Sequence, residues 1–244
     1  MASGARSGSE VPDEVRKGWR NGVLSAKPAG LAEPAGLAPH SPQPTGVVGL
    51  GDGPRAALLY VPSELPDGPV PLVVMFHGAG GEPARTLPMV QAVAERRKFL
   101  VLAPKSRHAT WDVISGGLGP DVGALDISLG TVFERFSVDS SRVAVAGFSD
   151  GASYALTLGM INGELFSRVL AFSPGFVVPA ARHGRPSVFI SHGRADTVLP
   201  IDRCSRRIVA TLKSEGYDVD YREFAGGHEV PPDLVTAATE VLAS

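Results

Sequence analysis

The chain has 244 residues, 43% of them hydrophobic, and its 23 Lys and Arg stand against 25 Asp and Glu for a formal net charge of -2. That length and apolar content suffice for the core of one domain. The charge balance leaves no basic excess to neutralise a phosphate backbone, which argues against nucleic acid as a partner, and no apolar run approaches the roughly 20 residues of a membrane span.

Residues 1–50 are dominated by Gly, Ser, Pro and Ala, and PAGLA occurs twice between positions 28 and 39. Two copies do not make a solenoid. With few β-branched or aromatic residues to bury, this segment is expected to be a largely extended or flexible tail, and 51–244 the folded domain. A short helix near Asp13 to Trp19, with Trp19 docking on the domain, is the one element anticipated there. The N-terminus has no hydrophobic h-region, so no intact secretory signal is visible. A cytoplasmic protein is expected, with export after removal of a signal as the alternative; nothing in the sequence specifies an oligomeric state.

From Arg55 onward apolar runs alternate with helical patterns. AALLYV (56–61), PLVVMFHG (71–78), FLVLAP (99–104), RVAVAGFS (142–149), RVLAFSP (168–174), SVFISHG (187–193) and VDYREF (219–224) read as strands, several apolar at consecutive positions, as strands covered on both faces must be. Helices are expected at about 84–97, 122–136, 151–161, 202–215 and 232–243. Val122, Leu125, Leu129, Val132 and Phe136 recur at three- and four-residue steps and form one apolar stripe. The alternation predicts an α/β fold with a single, mostly parallel central sheet flanked by helices. The single cysteine, Cys204, can form no internal disulfide and is expected to pack, inert, at the start of a helix.

In such sheets ligands bind outside the carboxyl ends of the strands. Four loops that follow strands begin HGAGG, GFSDGA, HGRADTVLP and AGGHEVPP, which places all four on one rim. Ser149, in GFSDG, stands between a strand and a helix with Gly147 two residues before it and Gly151 two after, the small residues that a nucleophile elbow requires. The plainer alternative is the hydroxyl of a helix cap. Asp150 is expected to act through its backbone N–H, as an oxyanion donor, while its carboxylate sits favourably in the first turn of a helix. Gly78 or Ala79, in HGAGG, is the candidate second donor, and His77 a loop anchor.

A serine hydroxyl needs a base, and His228 follows the last strand, placed by two glycines. Asp196 is the candidate that orients it, with Asp202 better suited to cap the helix expected at 202; Asp126, Asp112, Asp218 and Asp220 rank lower. The order Ser149, Asp196, His228 is that of the α/β-hydrolase fold. The six histidines are scattered, with no H-E-x-x-H or Cys/His pairing, so neither metal nor cofactor is expected.

HGAGG, GFSDG, HGRADTVLP and GGHEVP, in that order, resemble the phospholipase/carboxylesterase branch of the α/β-hydrolases, which includes acyl-protein thioesterases. The resemblance covers about residues 55–244. It implies a serine esterase with no large lid domain, with Ser149 as nucleophile, Asp196 as orienter and His228 as base. Asp150 departs from the glutamine usual in thioesterases, and SDG is similar instead to feruloyl esterases and polyhydroxybutyrate depolymerases. The expected substrate is a small-molecule ester, short-chain or aryl; polyester, feruloyl, thioester or lysophospholipid substrates are the alternatives, and a hydrolase-fold ligand receptor is the non-enzymatic one. Trp111, Ile114, Leu118, Phe176 and Val177 are the candidate pocket residues.

Overall fold

The computed structural model describes residues 11–28, 44–51, 53 and 55–242. The first described element is helix α1, Asp13–Arg20. Strands β1 (Gly46–Leu50), β2 (Ala57–Val61), β3 (Val70–Phe76), β4 (Leu100–Ala103), β5 (Val138–Phe148), β6 (Arg168–Phe172), β7 (Ser187–Gly193) and β8 (Val219–Phe224) form one sheet in the order β1-β2-β4-β3-β5-β6-β7-β8. β1 and β2, and β2 and β4, pair antiparallel, and every pair from β4 onward is parallel.

Successive residues of the central strands enter two different cores. Leu72, Val74 and Phe76 of β3 join Val143 and Val145 of β5 beneath α4 (Pro120–Arg135), α5 (Asp150–Ile161) and α6 (Ser205–Ser214). Val73 and Met75 join Ala144 and Ala146 beneath α2 (Pro83–Arg97) and α7 (Pro232–Ala238). This is why those strands read as continuous apolar runs. The remaining elements are a single-turn helix α3, Asp112–Ser115, and a 3-10 turn, Glu240–Leu242.

All seven strands and all five longer helices expected from the sequence are present, and the fold is that of an α/β-hydrolase without a separate lid domain among the described residues. Two expectations require correction. The division at residue 50 cuts through the sheet, because β1 pairs with β2 from Gly46↔Val61 to Leu50↔Ala57. α6 starts at Ser205 with Cys204 as its cap residue, and Asp202 pairs with Arg206 instead of capping. Cys204 is buried, as expected of an inert thiol.

The described part of the N-terminal segment is a fixed strap. The Trp19 ring lies against Gly123 of α4, where an added Cβ would come within 2.7 Å of it. Buried Asp126 accepts hydrogen bonds from Trp19 Nε1 at 2.7 Å, Ser25 N at 2.8 Å, Ser25 Oγ at 2.6 Å and Ala26 N at 2.8 Å. Asn162 accepts from Leu24 N at 2.9 Å and donates to Gly22 O at 2.8 Å. The paired PAGLA motif lies outside the described residues apart from Pro28. Among the described residues no helix is long and apolar enough to cross a membrane.

Candidate active site

The site is assembled from four strand ends. Ser149 sits between β5 and α5 with φ 58° and ψ -121°, a backbone conformation that side-chain-bearing residues rarely adopt. The turn is tight because its flanks are glycine. A Cβ at Gly147 would lie 2.1 Å from Gly151 O, and one at Gly151 would lie 2.4 Å from Phe76 O. Ser149 N donates to Phe172 O at 2.9 Å, which ties the turn to the end of β6.

The loop after β8 is laced by backbone to the loop after β7. Ala195 N donates to Gly226 O at 2.9 Å and Arg194 N to Phe224 O at 2.9 Å. At Gly193 a Cβ would meet Gly227 O at 2.1 Å, so only glycine permits this approach. The result places His228 Nε2 2.9 Å from Ser149 Oγ and His228 Nδ1 2.6 Å from Asp196 Oδ2. The carboxylate takes the Nδ1 proton donor, which leaves Nε2 as acceptor for the serine hydroxyl. The His228 ring also lies against Phe148, with centroids 4.7 Å apart.

The Asp196 side chain is completely buried. Its Oδ1 accepts from Val198 N at 2.9 Å and Leu199 N at 2.8 Å. Burial opposes its ionisation, but the hydrogen bonds from Leu199 and His228 outweigh burial and hold the carboxyl below its usual range.

A second histidine stands behind Asp196. His192, at the end of β7, is fully buried, and its Nε2 lies 2.8 Å from Leu199 O and 3.1 Å from Asp196 Oδ2. Two oxygens facing Nε2 assign it the proton, so Nδ1 accepts from Ser205 Oγ at 2.6 Å. Burial keeps this ring neutral by pushing its pKa below the ordinary value. Sequence reasoning passed over His192, although a histidine inside the apolar run SVFISHG and four residues before Asp196 was the available signal.

The candidate oxyanion donors lie across the serine from His228. A Cβ at Gly78 would come within 3.3 Å of Ser149 Cβ. Among the described residues, the backbone N–H groups of Gly78, Ala79 and Asp150 donate to no acceptor. The loop is fixed by its neighbours: Gly80 N donates to Ala109 O at 2.6 Å, and Gly81 N to Gly78 O at 3.0 Å. Buried His77 accepts from Ser106 N at 3.2 Å through Nε2 and donates from Nδ1 to Gly78 O at 2.8 Å. Burial lowers its pKa, and the ring serves as an anchor. The Asp150 carboxylate accepts from Thr110 Oγ1 at 2.7 Å, a tie to the loop after β4.

Of the candidate pocket residues, Trp111 is placed differently from expectation. Trp111 is only 1% exposed; its indole stacks on Tyr154 with centroids 4.9 Å apart and donates to His77 O at 2.8 Å. It therefore braces the HGAGG loop through His77 and is buried away from the surface. Leu118 packs against the core near Gly22 of the strap, and Val177 packs against the same core. Ile114 and Phe176 are half-buried, and Phe176 N lies 3.4 Å from Ser153 Oγ.

A strained serine between glycines, a histidine and a buried carboxylate in one hydrogen-bonded line, and unpaired N–H groups opposite can perform acyl transfer. Comparison with known proteins finds the following similarities. The phospholipase/carboxylesterase family model matches residues 126–244. Feruloyl esterase B of Thermothelomyces thermophilus is 29% identical over 130 residues, 49% of this chain and 42% of that protein, so the match spans less than half of the relative's length. Among solved structures, S-formylglutathione hydrolase of Staphylococcus aureus is similar with a TM-score of 0.67 at 12% identity, covering 81% of this chain and 98% of the other. Esterase PE8 is similar with a TM-score of 0.63 at 22% identity over 81% and 98% of the two chains. The chain has the α/β-hydrolase fold of these structures.

Proposed function

We propose that the chain is a serine carboxylesterase that cleaves short-chain or aryl carboxylic esters through an acyl-enzyme on Ser149. The observation that carries this reading is the line from Ser149 Oγ to His228 Nε2, 2.9 Å, and from His228 Nδ1 to Asp196 Oδ2, 2.6 Å. In the first step Ser149 Oγ attacks the ester carbonyl carbon while His228 Nε2 takes its proton. Asp196 holds the ring in the required tautomer and stabilises the imidazolium. The backbone N–H groups of Asp150 and of Gly78 or Ala79 receive the negative charge on the carbonyl oxygen, each worth about 2.7–4 kcal/mol in the transition state.

The intermediate collapses as His228 gives its proton to the leaving alkoxide. Water then attacks the acyl-enzyme, again losing a proton to His228, and releases the acid and free Ser149. The absence of a lid domain among the described elements favours small esters over long-chain lipids, and the likeness to a feruloyl esterase supports an aryl substrate.

The test is hydrolysis of a p-nitrophenyl ester series from acetate to decanoate by the wild type and by Ser149→Ala. The expected result is activity that falls with chain length and vanishes with Ser149. Activity that rises steadily toward decanoate would contradict the small-ester preference, and a series without turnover would contradict the esterase itself.

A further inference from the structure

The oxyanion loop has a second wall that the acyl-transfer chemistry does not use. A cavity of about 480 Å³ is lined by Arg55, by Gly80 to Glu82 and by the segment 105–109, which contributes Lys105, Arg107 and His108. Three permanent cations thus meet a single carboxylate, Glu82, and that one is already paired with Lys105. Among the described residues, the guanidinium groups of Arg55 and Arg107 donate no hydrogen bond and have no paired carboxylate. Asp121, which attracts Arg107 electrostatically, directs its oxygens to the backbone N–H groups of Arg107 and Asp112, at 2.9 Å each. The cationic wall is therefore local, on a chain whose formal net charge is -2.

The cavity shares a loop with the wall of the serine site. Gly78 abuts Ser149, and Gly80, two residues along the same loop, belongs to the cavity wall. Two extended residues span at most about 7 Å. The wall is also held in place by the Gly80–Ala109 hydrogen bond at 2.6 Å and the Thr110–Asp150 bond at 2.7 Å. On the opposite wing of the site, the residue that follows His228 is an acid, Glu229. That wing also carries exposed Arg194, in the loop after β7, so it holds both signs. The recess at Arg55 and Arg107, by contrast, has an excess of cations, and a recess with an excess of one sign of charge concentrates the field on a complementary group.

We infer that this cavity receives a carboxylate carried by the ester substrate, so that the enzyme selects acidic esters over neutral ones of the same size. The inference rests on the reading of Ser149 as the esterase nucleophile. The carboxylate could stand on the acyl side, as in a glutarate half-ester, or on an aryl leaving group.

Three esters separate these cases: phenyl pentanoate, the mono-phenyl ester of glutaric acid, with the anion on the acyl side, and 3-carboxyphenyl pentanoate, with the anion on the leaving group. Rates are corrected with Ser149→Ala as the blank. At low ionic strength at least one acidic ester is expected to exceed phenyl pentanoate about tenfold in kcat/KM, and which one does so identifies the side that faces the cavity. The advantage should fall toward unity in 0.5 M salt on the order of the screening expected at rim charges, and likewise in Arg55→Ala/Arg107→Ala. Phenyl pentanoate turnover should change less than about twofold in that variant, and Arg55→Lys/Arg107→Lys should restore most of the preference. Equal rates for all three esters, or a preference that survives the double alanine variant, would overturn the inference while leaving the esterase intact. Failure of all three esters would overturn the esterase reading and this inference with it.

Discussion

The elbow and the N-terminal strap are both short segments fixed against the same layer of helices, and they are fixed by opposite means. At the elbow the constraint is steric and made by backbone: a side chain at Gly147 or Gly151 would lie 2.1 or 2.4 Å from a carbonyl oxygen. At the strap the constraint is chemical and made by two buried side chains, Asp126 and Asn162, which satisfy the backbone of residues 22 to 26 from 100 or more positions away. A steric constraint of the first kind writes itself locally into the sequence, as glycines at fixed offsets from a serine. A polar clasp of the second kind leaves no local mark, since an aspartate on a helix reads as an ordinary solvated residue until its partner is known.

The largest expected effect belongs to the elbow. Ser149→Ala should lower kcat by about a millionfold in steady-state ester hydrolysis, with little change in stability. Gly147→Ala at the same turn should instead cost about 4 kcal/mol or more in a denaturant titration, because backbone has to move for any Cβ to fit; a variant as stable as the wild type would show that the turn has slack.

The next effect lies one step behind the elbow. His192→Phe removes the ring donor from Asp196 and the acceptor of Ser205, and about a ten- to hundredfold fall in kcat is expected from misplacement of His228. His192→Gln, which can keep a donor toward Asp196, should recover part of it, and the acidic limb of the kcat/KM pH profile should move in His192→Phe. A profile and kcat unchanged in both variants would reduce His192 to packing.

At the strap the effect should be on stability alone. Asp126→Ala strands the N–H groups of Trp19, Ser25 and Ala26, with an expected loss of about 1–3 kcal/mol by chemical denaturation and faster proteolysis near residue 20. Ester turnover should stay within about twofold. A large loss of kcat would show that the strap and the elbow are coupled, against the separation drawn above.

The smallest effect is global. Burial depresses the pKa values of His77 and His192 in the folded state, so the unfolded chain binds more protons as the pH falls below about 6.5. Their contribution is complete above that value and is lost toward acid, and Asp196, depressed below its ordinary range, adds a loss only nearer pH 4 and below. The denaturation midpoint should therefore be higher at pH 7.5 than at pH 5, and an unchanged midpoint would contradict neutral, buried imidazoles at both positions.

The same contrast explains what the sequence made legible. The parallel sheet was visible because its buried strands are continuous apolar runs, and the serine and carboxylate were visible because each follows such a run; the histidine follows β8, VDYREF, a half-exposed strand, and was marked by the glycines before it. Strand β1, GVVGL, was missed because five residues behind a Gly- and Pro-rich stretch carry no period of their own, and only pairing with β2 makes them a strand. Trp111 was misread for a related reason. Its position after β4 suggested the rim, but stacking on Tyr154 and the hydrogen bond to His77 O, neither encoded nearby, turn the indole inward. The clasp residue Asp126 was weighed only as a lower-ranked candidate to orient His228, and its partners Ser25 and Ala26 belong to a segment whose composition suggested no fixed structure.

The most direct test of the central claim is to treat the enzyme with paraoxon, an organophosphate that phosphorylates activated serines, and to locate the adduct by peptide mass spectrometry. The account predicts a single phosphorylated residue, Ser149, with modification suppressed in His228→Ala and ester hydrolysis lost in step with labelling. Labelling at another residue, or turnover that continues after Ser149 is fully modified, would contradict it.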